Sequence, residues 1–218
     1  MLTIIFALLL GPLMAFVFFS FIKYRFPNGH FALLIRSYFW GIFSTVIAAA
    51  FFYWAYLFGY LDLKNLRRII FFSFVIIGFG QEFGKFLVLR FLMLPNKLFK
   101  SPSDAITYSL MISFGAGTMI NLAYFLIYPQ TDVSIYISNI LVGMVYAVVM
   151  GFFVGLGKIR SNRMVDSFSG LFGAAFFHGS FEFIIQTNDH LLIWPFLIGS
   201  AIITFLLIVK SIQITDEL

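Results

Sequence analysis

The chain contains no cysteine. Disulfides, thiolate metal sites, iron–sulfur clusters and cysteine catalysis are therefore excluded together, while the redox compartment stays open. Charge is nearly as scarce. Only 11% of the 218 residues are charged and 61% are hydrophobic, against roughly 25% and 45–50% in an ordinary soluble domain. A soluble chain of this size could not cover its exterior with so few polar groups. Soluble, disordered and nucleic-acid-binding classes are set aside on that ground. The net charge of +5 belongs to the loops of a membrane protein and reports topology rather than a nucleic-acid partner. Phenylalanine is abundant instead, at 32 residues, with a mean hydropathy of +1.01. Such over-use fits lipid-facing and core packing.

A spanning helix needs ~20 mainly apolar residues. Seven stretches qualify: Leu2–Ile22, Tyr38–Leu61, Ile69–Leu94, Ala105–Tyr128, Ile135–Leu156, Ser167–Ile185 and Leu191–Val209. Polar or turn-forming segments such as KYRFPNGH, PNKLFKSPSD and GKIRSNRMVD separate them. Phe31–Ser37 either extends the second helix or lies at the interface. The expected fold is all-α: a polytopic helical membrane protein of about seven transmembrane helices, forming one integral membrane domain over residues 1–218. No internal repeat stands out.

The first span lacks a basic n-region, and its positive charge follows the apolar run, so it reads as a retained helix rather than a signal peptide. With the N-terminus outside, the cytoplasmic segments hold Lys23, Arg25, Lys97, Lys100, Lys158, Arg160, Arg163 and Lys210. The other side holds only Lys64, Arg67 and Arg68. Eight against three predicts N-terminus outside and C-terminus cytoplasmic.

Ionisable groups within spans are costly and default to a functional hypothesis. The third span carries Gln81, Glu82, Lys85 and Arg90. The first three share a helical face, and a Glu82–Lys85 ion pair is the plainest reading. Gly80 and Gly84 flank them at a spacing that admits a neighbouring helix closely. The sixth span places His178 and Glu182 four apart, a separation able to hold a divalent metal or to form a hydrogen bond in a polar seam. Asn121 and Asn139 are further polar candidates, while His30 and His190 fall in loops on opposite sides. By helical rise, Asn121 and His178 each lie ~10 Å from the outer ends of their spans. Glu182 is shallower and Glu82 near mid-membrane, so bringing the two glutamates together requires a helix to shift or tilt.

The segment GFGQEFGKFLVLR resembles the signature of PrsW-type intramembrane proteases, in which a doubled glutamate is separated from a lysine by two residues. SPSDAITYSLMISFGAGTMINLAYF resembles that family's next helix, with Asp104, Tyr108, Gly115, Asn121 and Tyr124 on its pattern. GLFGAAFFHGSFEFII resembles the late helix whose two polar positions are here His178 and Glu182. The likeness extends over most of the chain and implies kinship with the superfamily of CAAX-type and bacteriocin-processing membrane peptidases. The departures matter equally. Gln81 stands where the resemblance implies a water-activating glutamate, and an amide cannot accept that proton. Ile120 stands where a glutamate precedes the asparagine. The fifth helix, ILVGMVYAVVMG, lacks the implied histidine.

Two functional readings follow from the resemblance. One is a non-catalytic membrane partner or accessory protein with a degraded site, expected to need no cofactor and to retain a metal-free polar cluster. In that cluster Glu82 pairs with Lys85, and His178 bonds Glu182 or Asn121. The other is an active peptidase using Glu82 and Lys85, with zinc on His178, Glu182 and Glu82. A pigment-, lipid- or solute-handling subunit of a larger complex is the remaining alternative. Membrane lipids and a membrane-protein partner or substrate are the expected partners, and the bacterial cytoplasmic membrane the expected location. The third, fourth and sixth spans are expected to form the core, with Glu82, Asn121 and His178 facing one another.

Overall fold

A computed structural model describes residues 2–27, 31–97, 99–160 and 162–217, and of residues 2, 3 and 190 the backbone alone. Among the described residues there are seven long helices and no strand. These are α1 (Leu2–Arg25), α2 (Phe31–Leu57), α3 (Leu66–Met93), α4 (Pro102–Ile127), α5 (Val133–Ile159), α6 (Arg163–Thr187) and α7 (His190–Asp216). Each is long and apolar enough to cross a membrane. Every expected span thus finds its helix, and Phe31–Ser37 belongs to α2. His30 lies outside the described residues, and His190 opens α7.

The helix ends follow from local chemistry. Gly59, at φ +70°, turns the chain after α2, a backbone conformation that costs glycine little. Ser101 caps α4 by accepting from the Asp104 amide at 3.2 Å, while Asp104 Oδ2 accepts from the Ser101 amide at 3.1 Å. This reciprocal box satisfies two donors that the helix start leaves open. Asp132 caps α5 by its side chain alone, accepting from the Ser134 amide at 2.8 Å, and hydrogen bonding to Ser134 holds its carboxyl below the usual carboxylate range. Asn188, left-handed at φ +54°, ends α6.

One helix is irregular. α3 runs as α-helix over Leu66–Phe71, π-helix over Phe72–Phe79, α-helix over Gly80–Leu87 and π-helix over Val88–Met93. Wide π turns change which side chains share a face, and they recur at functional positions. Here they bracket the short α-helical piece carrying Gln81, Glu82 and Lys85.

The centre of the bundle is α5. In its most apolar stretch 78% of residues are buried, against 50% in α4, 33% in α6 and 6% in α7. The sequence expectation of a core built on the third, fourth and sixth spans is corrected accordingly: α5 takes the place given to α6. Apolar composition cannot separate a helix facing protein from one facing lipid, because lipid tails are as apolar as leucine. Glycines bring the other helices close. A side chain at Gly84 would collide with the Ser44 carbonyl of α2. One at Gly78 would sit 2.7 Å from the Ala175 carbonyl of α6. Gly80 meets Phe51 of α2, as the spacing of Gly80 and Gly84 predicts. α3 is thereby clamped between α2 and α6.

Candidate functional site

Glu82 is completely buried. Its Oε1 accepts from Lys85 Nζ at 2.5 Å and from His178 Nδ1 at 2.7 Å. An ionised carboxylate only accepts, so His178 donates from Nδ1, and in the neutral ring Nε2 keeps the lone pair. Oε2 has no hydrogen-bond partner among the described residues. The expected Glu82–Lys85 pair is present. His178 is a different matter: it bonds Glu82 across helices and neither Glu182 nor Asn121, which corrects the expected pairing. Each of those residues has another partner. Glu182 Oε1 accepts from Gln186 Nε2 at 2.7 Å, one turn along α6. Asn121 donates to the Tyr136 carbonyl at 3.1 Å and accepts from Asn139 Nδ2 at 3.0 Å. Asn121, though fully buried, therefore turns to α5 and does not face Glu82 or His178.

Tyr146 of α5 completes the cluster. Its ring stacks on His178 with centroids 4.4 Å apart and planes 18° from parallel. Lys85 Nζ lies 6.0 Å from the same ring's centroid, within cation–π range. The Tyr146 hydroxyl is buried without a partner among the described residues. Sequence reasoning missed Tyr146, because a tyrosine in mid-span resembles any packing aromatic. Its one signal is its place in the fifth-helix segment where the resemblance implies a histidine.

Beside the cluster lies a cavity of about 30 Å³ whose wall includes Gln81, Lys85, Ile120, Tyr146, His178 and Glu182. At ~10–15 Å³ per water it has room for about two waters. Glu82 is not part of that wall; it sits behind His178 and Lys85. Asn121 likewise sits behind Asn139, which does line the cavity. Gln81 makes no hydrogen bond to a described residue, and α5 contributes Val142 and Gly143 beside Tyr146.

A zinc ion does not fit these groups. Catalytic zinc takes three protein ligands in close tetrahedral array. Among the described residues no three His, Asp or Glu side chains come together to hold a metal ion. His178 keeps Nε2 free while a carboxylate holds Nδ1, as a metal-ligating imidazole does, but the three ligands a catalytic zinc needs are not assembled around it among the described residues.

A family profile described as PrsW family intramembrane metalloprotease matches residues 29–211. The Protease PrsW of Clostridioides difficile (strain 630) is 25% identical over 131 residues, covering 56% of this chain and 55% of that protein. The Protease PrsW of Shouchella clausii (strain KSM-K16) is 24% identical over 131 residues, 58% of this chain and 61% of its own. That of Bacillus subtilis (strain 168) is 23% identical over 197 residues, 87% of each chain. The chain thus spans little more than half the length of the first two relatives and most of the third. No solved structure matches. The chain belongs to the PrsW family, and it is an integral membrane protein.

Proposed function

We propose that this chain is a non-catalytic PrsW-family membrane protein, acting as a partner or accessory to another membrane protein. One observation carries the reading. The positions that depart from the family resemblance converge on the water-sized cavity: Gln81 and Ile120 both line it, and α5 offers it Asn139, Val142, Gly143 and Tyr146 but no histidine. Hydrolysis at this place needs a base or an ion to activate water. An amide and a branched alkyl group supply neither. Lys85 and His178 both bond Glu82 Oε1, and in this reading Glu82 and Lys85 hold α3 against α6 through His178.

Purified protein reconstituted with membrane-anchored reporter substrates tests the proposal. No cleavage is expected from the wild-type chain. Cleavage that disappears in His178→Ala or Glu82→Gln would overturn it.

The active-peptidase reading is favoured by a separate observation: His178 borders a space with room for water, and Glu82 orients its ring. In that reading His178 is the base and Glu82 a positioning residue, since Glu82 does not reach the cavity. Lys85 would then act on charge at the cavity wall. The two readings part on the same cleavage assay.

The proposal extends to topology. One integral membrane domain lies in the bacterial cytoplasmic membrane, with the N-terminus outside and the C-terminus in the cytoplasm. The eight-to-three distribution of Lys and Arg supports this. Reporter fusions at Lys64–Arg68 and at Lys158–Arg163 are expected on opposite sides, and fusions reporting one side would refute the orientation.

A further inference from the structure

A second hollow opens sideways from the bundle, between α2, α3, α4 and α6. It has a volume of about 570 Å³ and shares Gln81, Ile120 and Glu182 with the polar cavity. Its walls are mainly apolar, including Ala48, Phe52, Ile76 and Ala123, and Tyr56 and Tyr128 stand at its rim where α2 and α4 end. Tyrosine is favoured at that depth, where the membrane meets water.

Size limits what lies in it. The lining of α2 runs from Thr45 to Tyr56, about 16 Å at 1.5 Å per residue, comparable with one leaflet of a ~30 Å hydrocarbon core. That length suits the upper part of one acyl chain entering from the interface.

Charge limits it further. Glu182 stands on the wall about 7 Å from the end of α6, by helical rise. Among the described residues it accepts a hydrogen bond from the neutral Gln186, and no Lys, Arg or His forms an ion pair with it. A carboxylate at the edge of hydrocarbon without a cation is costly. An anionic occupant would raise that cost, and a quaternary ammonium has no N–H to donate.

We propose that this groove is a lipid site in which one acyl chain lies along α2 and α4 and a primary ammonium of the headgroup donates to Glu182. The site stands independently of whether the polar cavity is catalytic.

Native mass spectrometry of the solubilised full chain tests it, with phosphatidylethanolamine, phosphatidylcholine and phosphatidylglycerol of matched acyl chains offered in turn. Phosphatidylethanolamine is expected to be retained about tenfold more strongly than the other two, the scale of one charge-assisted hydrogen bond. Glu182→Gln should bring the three lipids to parity. Ala123→Trp, which fills the groove, should remove the retained lipid for all three. Ala49→Trp gives the same test if the first variant does not fold. Equal retention of the three lipids by the wild-type chain, or an unchanged preference in Glu182→Gln, overturns the proposal. So does a stoichiometric polypeptide held by the wild type and released by Ala123→Trp, which would make the groove a protein-docking site.

Discussion

Glu82 on α3 and Glu182 on α6 are the two glutamates within the spans, and the fold treats them oppositely. Glu82 is fully buried, with an ammonium and an imidazole on one oxygen. Glu182 stands on the wall of a groove, hydrogen-bonded to an amide of its own helix and, among the described residues, ion-paired to no cation. The bilayer penalises both carboxylates. Around Glu82 the chain supplies the compensating groups itself and closes α2 and α6 over them through glycine contacts. Around Glu182 it leaves space. A charge that is answered from within holds helices together, and one that is left unanswered invites something from outside.

The largest effect should come from opening the closed region. Glu82→Ala leaves Lys85 buried without its carboxylate, and the loss is expected at ~3–5 kcal/mol, the usual cost of breaking one side of a buried pair. Thermal unfolding in detergent micelles measures it, and a near wild-type melt would remove the distinction drawn above. Next comes the clamp itself. Gly84→Val drives a side chain into the Ser44 carbonyl, and ~1–3 kcal/mol is expected from such overpacking. Ala123→Leu, beside the open groove, should stay within about 0.5 kcal/mol, as surface changes usually do. Equal losses at the two positions would mean that the groove is as tightly built as the clamp.

Smaller again is Tyr146→Phe. The hydroxyl it removes has no partner among the described residues, and the ring that stacks on His178 is kept, so stability should change by less than ~1 kcal/mol and in either direction. Glu182→Gln should be the smallest of all, within about 0.5 kcal/mol, because no ion pair is lost and the hydrogen bond to Gln186 can be remade. A loss comparable with that of Glu82→Ala would show that Glu182 has a structural cation after all.

The two regions were also unequally legible in the sequence. Span lengths set the seven helices, and the three-residue spacing of Glu82 and Lys85 revealed their pair, because both features are local. The family resemblance pointed to Gln81 and Ile120 as departures, and the fold brings both to one cavity wall. The His178–Glu82 bond was not legible. It depends on how far α6 slides against α3, whereas spacing within α6 suggested Glu182, and shared polarity and depth suggested Asn121. The π turns of α3, which have no residue signature in FSFVIIGF, alter that register. Nor could composition name α5 as the core, since a helix that is apolar all round suits lipid and protein equally. The groove beside Glu182 arises from the separation of four helices, and no single segment encodes it.

The closed character of the Glu82 region is the centre of this account, and one comparison tests it most directly: thermal unfolding of Glu82→Ala beside Glu82→Ala/Lys85→Ala in the same micelles. If the carboxylate is there to answer a buried ammonium, removing both charges should restore at least ~1 kcal/mol relative to the single variant, a coupling of the size seen between residues in contact. A double variant no more stable than the single one would contradict it and leave Glu82 as the residue that positions His178 at the cavity.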